Sequence, residues 1–394
     1  MSAGALGRFD VVIAGAGLPG LALAPALARA GLRVALADRS PIACPEPAGD
    51  TWDTRVYAIS PGSAAFLQRI GAWQALPGDR IAAVESMRIE GDRDGRLNFS
   101  AYDLGERALA WIVEERALRA ALLRTVHASG VAVHGGVAFG SIAWSTESAT
   151  LVLADGQALE ARLLVGADGV RSWVRAAAGL LALPKPYGQT AVVANLACER
   201  AHHGCAYQWF RPDGGVLAWL PLPERRISIV WSAPDALATE LLGEPVDALA
   251  QRVAREGGEA LGRLTPLGPA AGFPLLYLRL PTSVAHRLAL VGDAAHGIHP
   301  LAGQGVNLGF GDAEALAEVL RERGPLDDPG APVLLTRYAR RRAEPVLAMQ
   351  AVTDGLARLF GASAPWLRVL RNAGLSAVDR LPAVKRVLAQ PALR

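Results

Sequence analysis

The N-terminal part of the chain joins two apolar runs through a glycine-rich turn. A short β-branched run covers residues 9–14, the turn covers 15–20, and residues 21–30 have helical character. A second apolar run, 32–37, ends at Asp38. Because parallel strands need a crossover connection between them, this order of elements predicts a β-α-β unit with a short helix.

The middle of the chain has a different pattern. Three aromatic-rich runs, at 206–210, 216–220 and 227–231, are separated by tight turns, which is typical of an antiparallel sheet. From Asp312 onward the apolar residues recur mainly at helical spacing. Together the patterns predict an α/β fold with a Rossmann-like nucleotide-binding domain, an inserted antiparallel-sheet domain and a helical C-terminus.

The predicted domains are discontinuous, because the inserted segments interrupt one nucleotide-binding unit. That unit takes residues 1–75, 106–180 and 280–340. The inserted domain is expected to hold the substrate. It takes residues 76–105 and 181–279, and the helical C-terminal region takes 341–394.

Composition limits the classes of protein to consider. Hydrophobic residues make up 51% of the 394 residues and charged residues 20%, which is typical of a globular protein with a large core. The net charge is only +3, so charge gives no reason to expect a nucleic-acid partner. The uncharged stretch 11–28 is broken by glycines and prolines and lacks a preceding basic segment, which argues against a signal peptide or a membrane span.

The three cysteines, Cys44, Cys198 and Cys205, are an odd number and form no C-x-x-C pair. We therefore expect no disulfide framework and no metal site, and the chain fits a reducing compartment. The expected location is the cytoplasm.

The turn at 15–20 has the pattern Gly-x-Gly-x-x-Gly between a strand and a helix. Gly15, Gly17 and Gly20 let the backbone approach a pyrophosphate, which the free N–H groups and the positive helix end stabilise. Asp38 follows the next strand, where its carboxylate can accept a hydrogen bond from a ribose hydroxyl. We interpret this unit as a dinucleotide site. An ordinary turn in another α/β protein is the alternative, and the motif does not separate FAD from NAD.

A second glycine-containing loop lies far along the chain. Gly292-Asp293 ends an apolar strand, and Gly303 and Gly305 precede a helix that includes Asn307. Ligands of open α/β sheets bind at the carboxyl edge of the strands, and a helix N-terminus stabilises negative charge such as that of a reduced flavin. The loop therefore fits the flavin end of FAD. The alternative is an ordinary Gly-Asp turn with Asn307 as a helix cap.

With several further motifs, the chain resembles the class A flavoprotein aromatic hydroxylases, and among them the ubiquinone-biosynthesis hydroxylases. Besides the two glycine loops, the matching segments are Asp53-Thr-Arg55-Val-Tyr-Ala, Ile112-Val-Glu-Glu-Arg116, Gly166-Ala-Asp168-Gly169-Val-Arg171-Ser172, Arg340-Arg-Arg-Ala-Glu and Thr353-Asp354-Gly-Leu-Ala-Arg-Leu-Phe360. His299-Pro-Leu-Ala-Gly-Gln-Gly-Val-Asn307 carries most of the likeness to the quinone branch. The resemblance implies a fold like that of para-hydroxybenzoate hydroxylase, with a Rossmann-like FAD-binding domain.

The resemblance also implies which residues bind FAD. Arg55 and Arg116 would contact the ribose and pyrophosphate, and Asp293 would bind the ribitol chain. Asp168 would take part in handling the cofactor and the nicotinamide, and residues 303–307 would line the isoalloxazine. The complete set of predicted cofactor-binding residues is Gly15, Gly17, Leu18, Pro19, Gly20, Asp38, Arg39, Arg55, Arg116, Asp168, Asp293, Pro300, Gly303, Gln304, Gly305, Val306 and Asn307.

Two residues depart from the family's pattern. Glu115 stands where the quinone branch often has asparagine, and it places a negative charge beside Arg116, with which a salt bridge is expected. Pro25 lies inside the dinucleotide helix, where it removes a hydrogen bond, but beyond the turn that contacts phosphate.

By the same resemblance, NADH or NADPH would reduce FAD, and O₂ would then form a C4a-hydroperoxyflavin that hydroxylates an electron-rich ring. The protein would mainly orient the ring and exclude water. Pro300, expected beside the flavin, and His299 are the candidate catalytic residues, although a histidine in such a loop is more often structural. Tyr207, Trp209 and Trp219 are expected to line the substrate pocket. Aromatic residues on a sheet are equally typical of a core.

We therefore expect an FAD-dependent monooxygenase that hydroxylates the ring of a ubiquinone-precursor polyprenyl phenol. The alternatives are a hydroxylase of a small soluble phenol or another aromatic metabolite, and a non-catalytic FAD-binding member of a biosynthetic assembly. Basic and apolar residues interleave in 364–394. This segment predicts either peripheral contact with the inner face of the membrane or a helix packed on the protein body with a solvated basic face.

Overall fold

The computed structural model describes residues 5–45, 49, 51–362 and 364–393, except for the side chains of Ala5 and Ala302. In chain order the strands are β1 (Ala5–Ala14), β2 (Val34–Asp38), β3 (Val56–Ile59), β4 (Ala82–Val84), β5 (Ser86–Glu90), β6 (Arg96–Ser100), β7 (Ala110–Glu114), β8 (Ala132–Gly135), β9 (Phe139–Trp144), β10 (Ala149–Leu153), β11 (Ala158–Gly166), β12 (Lys185–Cys198), β13 (Cys205–Phe210), β14 (Val216–Leu222), β15 (Arg226–Pro234), β16 (Leu264–Pro266), β17 (Ala271–Tyr277), β18 (Val284–Ala285) and β19 (Leu288–Leu290). The helices are α1 (Leu18–Arg29), α2 (Pro61–Ile70), α3 (Ala101–Leu104), α4 (Glu115–Ala128), α5 (Trp173–Ala177), α6 (Asp235–Gly243), α7 (Val246–Glu256), α8 (Gly305–Arg321), α9 (Pro332–Gly361), α10 (Pro365–Asp379) and α11 (Pro382–Leu393).

The first sheet contains the predicted β-α-β unit. Strands β19, β11, β1, β2 and β8 run parallel and lie side by side in that order, and the short strand β18 is antiparallel at one edge. Helix α1 joins β1 to β2, and its buried residues pack with those of α2, α4 and α8 in one hydrophobic core. The prediction of a Rossmann-like domain is confirmed.

The second sheet is built mainly from the aromatic-rich middle of the chain. Its strand order is β16-β12-β15-β14-β13-β5-β6, and β17 also pairs with β12. All neighbours are antiparallel except β13 and β5, which are parallel. Helices α6 and α7 cover one face and form a second core with it. The other face borders a large cavity.

The sheets support the predicted domain division, which we retain as a proposal. Strands β5 and β6, from segment 76–105, join the sheet that is formed by segment 181–279. Strand β4 of segment 76–105 instead pairs with β7, which also pairs with β3 in a small third sheet. The small sheet therefore connects that segment to the nucleotide-binding side.

The C-terminal helices close one side of the molecule. Helix α9 is 30 residues long, and α10 docks on the hairpin of β5 and β6. Asp92 in that hairpin pairs with Arg371, and both side chains are buried. The amide nitrogen of Asn372 also donates to Asp92 (2.8 Å). Arg371 is therefore not part of an exposed basic face, and Arg394 lies outside the described residues.

Along the described ranges, no helix combines the length and the apolar character that crossing a membrane requires.

Candidate active site

A cavity of about 1820 Å³ lies between the two large sheets and the C-terminal helices. One end borders both glycine loops and most of the charged residues that line the cavity. The other end borders the open face of the second sheet and apolar residues of α9, α10 and α11. The fold thus brings the predicted cofactor motifs together with the inserted domain.

Two of the three glycines in the first loop leave no room for a Cβ. Gly15 has a φ of +118°, and a Cβ there would lie 2.3 Å from the carbonyl carbon of Ala167. A Cβ at Gly20 would lie 2.1 Å from the carbonyl oxygen of Gly15, because α1 packs directly on the turn. Gly20 itself lies behind the cavity surface. The residues of the loop that line the cavity are Gly15, Gly17, Leu18 and Pro19.

Asp38 is bound to the same loop and also borders the cavity. Its carboxylate accepts a hydrogen bond from the N–H group of Ala16 (2.6 Å), and Arg39 beside it lines the cavity. Arg119 of α4 donates to the carbonyl oxygen of Ala16 (2.7 Å) and lines the cavity too. Arg119 was not predicted from the sequence, although its position about one helical turn after Arg116 was an available signal.

Of the two arginines that the family resemblance singles out, Arg55 lines the cavity and Arg116 does not. The guanidinium of Arg55 lies 5.0 Å from the ring centroid of Phe273 and pairs with Glu115 (3.4 Å). The backbone N–H of Arg116 donates to the carboxylate of Asp53 (2.9 Å). Glu115 therefore pairs with Arg55, where a salt bridge to Arg116 was expected. Contact between Arg116 and FAD stays a prediction, and the cavity lining does not favour it.

The second glycine loop packs on the first. Gly292 has a φ of +60°, and a Cβ there would lie 2.9 Å from Cγ of Pro19. A Cβ at Gly309 would lie 2.7 Å from the same atom. Asp293 presents its carboxylate to the cavity. Its depth within the protein raises its pKa, although the nearby His296 opposes that shift.

His296 lines the cavity and is held by a buried carboxylate. Asp312 of α8 accepts hydrogen bonds from Nε2 of His296 (2.6 Å), the N–H of Gly292 (2.8 Å) and Nε of Arg342 (2.6 Å). Burial disfavours the charged form of Asp312, but these partners outweigh burial and keep its pKa below the ordinary value. Asp312 is therefore a positioning residue that fixes the Gly292 turn, His296 and α9 relative to one another.

The loop that precedes α8 borders the cavity over most of its length. Asn307 lies behind it, where its amide nitrogen donates to the carbonyl oxygen of Ala58 (2.8 Å) and its oxygen accepts from the N–H of Ser60 (3.0 Å). These bonds tie the loop to β3. The predicted residues of the loop that do line the cavity are Pro300, Gly303, Gln304, Gly305 and Val306.

His299 does not line the cavity, which argues against the predicted catalytic role. Its ring is buried, Nε2 bonds to Oε1 of Gln189 (2.8 Å), and the ring centroid lies 5.0 Å from that of Tyr187. Burial lowers the pKa of His299 to about 4, although Asp354 opposes the shift. The imidazole is therefore neutral near pH 7. Its bond to Gln189 joins the loop that precedes α8 to β12.

Asp168 lines the cavity and caps α5. Its carboxylate accepts hydrogen bonds from the hydroxyl of Ser172 and from the N–H groups of Trp173 (2.7 Å) and Val174 (3.0 Å). Its backbone and side chain are thereby fixed at the cavity edge. A part in nicotinamide handling stays a prediction.

The aromatic residues that were predicted to line the substrate pocket lie on the opposite face of the second sheet. Successive side chains of a strand point to opposite faces, and Trp209 and Trp219 belong to the core beneath α6 and α7. Tyr207 packs on the same core, with its ring centroid 5.9 Å from that of Trp219. These three side chains support the sheet from behind and do not line the cavity.

The cavity face of this sheet is made by the alternate residues, most of which are small or aliphatic. Gln208 and Ser232 are its polar side chains among the described residues. The apolar ones on β12 to β15 are Ala191, Val193, Ala206, Phe210, Val216, Ala218, Leu220 and Val230. None of these was predicted, although strand alternation was the signal that could have found them.

Known proteins with similar sequences agree with this geometry. Residues 8–353 match the family model described as an FAD binding domain. The ubiquinone hydroxylase UbiL of Rhodospirillum rubrum is 37% identical, over 98% of this chain and 89% of the relative. The chain belongs to the FAD-dependent aromatic hydroxylases. A 3-demethoxyubiquinol 3-hydroxylase of Escherichia coli is 33% identical over 96% of each chain, and the human ubiquinone biosynthesis monooxygenase COQ6 is 33% identical over 96% and 91%.

Solved structures of FAD-dependent monooxygenases share the fold of this hydroxylase. PqsL of Pseudomonas aeruginosa has a TM-score of 0.78 at 24% identity, covering 94% of this chain and 99% of that one. The p-nitrophenol 4-monooxygenase PnpA of Pseudomonas putida has a TM-score of 0.77 at 20% identity, with 98% and 99% covered. The predicted α/β fold, like that of para-hydroxybenzoate hydroxylase, is confirmed.

As a member of this family, the hydroxylase is a flavoprotein monooxygenase that uses FAD, NADH or NADPH, O₂ and an aromatic substrate. Its residues fit FAD at one end of the cavity. At Gly15 and Gly20 a Cβ would clash with the backbone of Ala167 and Gly15, so only glycine keeps the tight turn beside the cavity. Arg55 and Arg119 supply positive charge, and residues 303–306 line the cavity. Both glycine loops and residues 303–306 border this one cavity, so a single dinucleotide held there would contact all of them.

Proposed function

We propose that this hydroxylase acts on the ring of a ubiquinone-precursor polyprenyl phenol. Two relatives support the choice of substrate by their names, one a ubiquinone hydroxylase and one a hydroxylase of demethoxyubiquinol. The observation that carries the proposal is the apolar half of the cavity, whose lining extends from the open sheet face to the C-terminal helices.

The apolar half continues from the open sheet face to the C-terminal helices. At its wall, the rings of Phe210 and Phe360 stack with centroids 3.6 Å apart. Pockets of about 300–1,000 Å³ are enough for most small ligands, so about 1820 Å³ leaves room for a chain beside FAD. Burying a hydrocarbon chain there is favourable by about 0.8 kcal/mol per CH₂. The lining residues contributed by the C-terminal helices include Leu356, Leu359, Phe360, Leu367, Leu375, Val378 and Leu388.

The charges around the cavity favour a neutral ring. Among the described lining residues, the charged ones lie at the FAD end, with the exception of Arg371. Arg371 donates to Asp92 and to the carbonyl oxygens of Leu359 (2.6 Å) and Ala362 (2.9 Å). The substrate end therefore offers no available cation in the described part of the chain. Burying a carboxylate there without a partner would be costly, so a phenol is favoured over a benzoate.

When bound, FAD would accept a hydride from NADH or NADPH and activate O₂, which supplies the oxygen atom that enters the ring. The residues of this chain bind FAD and orient the aromatic ring. Arg55 and Arg119, with the N-terminus of α1, stabilise the pyrophosphate, and Asp293 accepts a hydrogen bond from the ribityl chain. Pro300 and residues 303–306 line the part of the cavity where the isoalloxazine would be held. The apolar walls exclude water and hold the ring in one orientation.

The outer surface of α10 and α11 supports a second part of the proposal, peripheral contact with a membrane. A cluster of exposed apolar side chains of this kind marks an interaction surface. The positive charge on this surface is smaller than the sequence predicts, because Arg371 is buried and Lys385 pairs with Asp379 (3.1 Å). Arg380 and Arg386 remain exposed. The exposed apolar residues that do not also line the cavity are Trp366, Val369, Leu381 and Val384, and Leu370, Val387 and Leu388 are exposed where they border the cavity.

Complementation tests the substrate. Expression in bacteria that lack a ubiquinone ring hydroxylase should restore hydroxylation, detected by mass spectrometry of lipid extracts. Purified holoenzyme with NADH, O₂ and a prenylated phenol should give the same product. Hydroxylation of soluble phenols but not of prenylated ones would favour the small-phenol alternative. Consumption of NADH without any hydroxylated product would favour a non-catalytic role.

Flotation with vesicles tests the membrane contact. The holoenzyme should float with vesicles that contain anionic lipid, and Trp366→Glu combined with Val369→Glu should reduce the bound fraction at least about threefold. Val333→Glu, a change at an exposed valine at the start of α9, is the matched control and should bind as the unchanged protein does. Equal flotation of all three proteins would contradict the contact.

A further inference from the structure

Gln208 stands out on the cavity face of the second sheet. The strand register places it in one row between Ile89 of β5 and Ala218 of β14, with Val230 of β15 beyond. Its neighbours in the row are therefore all apolar. Only 6% of Gln208 is exposed, and the residue lines the cavity.

The amide of Gln208 has no hydrogen-bond partner among the residues that the structure describes. The other buried glutamines are engaged: Oε1 of Gln304 accepts from the amide nitrogen of Asn307 (3.4 Å), and Gln350 donates to the carbonyl oxygen of Leu278 (2.8 Å). The amide atoms of Gln208 are not among the fully buried polar atoms that lack a partner, so they are open to the cavity while they make no bond to the described protein. A group that faces a ligand cavity in this state is suited to a partner on the ligand.

We propose that Gln208 recognises the ring oxygen of the substrate and thereby determines specificity for a phenol over a hydrocarbon ring. The inference rests on the proposed function, which supplies the aromatic substrate. An amide both donates and accepts, so it can accept from a phenolic O–H or donate to a ring oxygen that carries a methyl group. The apolar row around it would bind the ring itself without distinguishing its substituents.

The position of Gln208 also explains why an amide is suited to this task. A charged side chain in the same apolar row would need a partner of opposite sign, and the row offers none. Between turnovers, a neutral amide can stay in this apolar row at a lower free-energy cost than a charged group. It can then exchange a bound water for the substrate oxygen. Rejection of a ring that lacks the oxygen then follows, because the amide would be left unpaired.

Binding measurements on the FAD-loaded enzyme test the inference. The probes are a phenol that carries a farnesyl chain next to the hydroxyl, and farnesylbenzene, which differs only in lacking the oxygen. Dissociation constants are read from the change in flavin absorbance or fluorescence. The unchanged enzyme should prefer the phenol about tenfold, which corresponds to ~1.4 kcal/mol. In Gln208→Met, which has similar volume, the preference should fall to about twofold or less, with farnesylbenzene bound as before.

Tyr207→Phe is the matched control, because it changes the adjacent residue on the opposite face and should keep the tenfold preference. If Gln208→Met fails to retain FAD, Gln208→Leu is measured in its place. A preference that survives in the variant measured, or that the unchanged enzyme lacks, overturns the role of Gln208. The proposed function fails separately, if the unchanged enzyme prefers the phenol but forms no hydroxylated product with NADH and O₂.

Discussion

The FAD end and the substrate end of the cavity are constructed in different ways. At the FAD end the backbone sets the shape: Gly15, Gly20 and Gly292 lie so close to their neighbours that a Cβ would clash. At the substrate end, side chains on one face of a sheet set the shape, and residues such as Ala218 have space in front of them. A site built by backbone requires particular residue types, whereas a site built by a sheet face tolerates many.

The two ends also differ in how they treat charge. The FAD end holds Arg55, Arg119 and Asp293 around the cavity, with the buried Asp312 behind it. The substrate end presents apolar walls with Gln208 and a few other neutral polar groups. Substitutions at the FAD end should therefore change cofactor retention, and those at the substrate end should change substrate binding while FAD stays bound.

The largest effect is expected from Gly20→Val. A Cβ at this position would lie 2.1 Å from the carbonyl oxygen of Gly15, so the turn cannot keep its shape. FAD affinity should fall at least ~100-fold, and the purified protein should lack flavin absorbance. Gly78→Ala is the control, because a Cβ there meets nothing within 4 Å. A yellow Gly20→Val protein with unchanged affinity would contradict the placement of the pyrophosphate.

Two neighbouring residues on opposite faces of β14 should respond differently to substitution. Trp219 is fully buried, and Trp219→Ala should lower the free energy of unfolding by about 3–5 kcal/mol. Ala218→Leu fills the cavity, so it should change stability by less than about 1 kcal/mol but raise the KM for the aromatic substrate. Urea denaturation and steady-state kinetics measure the two quantities. Equal loss of stability in both variants would contradict the assignment of the faces.

Much of the FAD end could be predicted from the sequence, because its motifs are local and have fixed spacing. Gly15 and Gly17 border the cavity as expected, and Asp293 does too. Long-range partners could not be predicted. Arg119 borders the cavity because α4 packs beside Ala16, and the bonds of Asp312 to His296 depend on how α8 meets the Gly292 turn.

The substrate end could be predicted only as far as a sheet. Alternation shows that Tyr207 and Trp209 share a face, but neither which face is toward the ligand nor that Trp219 on the next strand joins them. That choice is decided by α6 and α7, whose apolar sides pack against large side chains. The small residues left on the other face leave the space that a ligand needs, and small residues give no signal by themselves.

A smaller effect, on the pH dependence of stability, is expected from a substitution at His299. This residue joins the loop that precedes α8 to β12 of the second sheet. Burial lowers its pKa from 6.5 to about 4. The unfolded chain therefore binds more protons between these pH values, and the free energy of unfolding falls as the pH is lowered from 6.5 to 4. The loss is roughly 3 kcal/mol at ~1.36 kcal/mol per unit. His299→Gln should remove this pH dependence and leave the pH profile of kcat unchanged, whereas a shifted kcat profile would restore a catalytic role.

The smallest expected effect is that of Asp293→Asn, which changes the charge of the FAD end without changing its shape. Although the side chain of Asp293 is exposed to the cavity, desolvation by the surrounding protein raises its pKa, so its ionised form is less favourable in the folded protein than in the unfolded one. The free energy of unfolding of the FAD-free protein therefore falls as the pH rises through that pKa, and the asparagine variant should not show this fall. Its FAD affinity should nevertheless drop about tenfold, because a charged acceptor for the ribityl hydroxyl is lost.

Asp155→Asn, in an exposed turn, is the control. If the variant gained no stability and kept its FAD affinity, the carboxylate would have no part in the site. A gain in stability at the expense of affinity would show that the FAD end keeps a carboxylate which only the cofactor makes favourable.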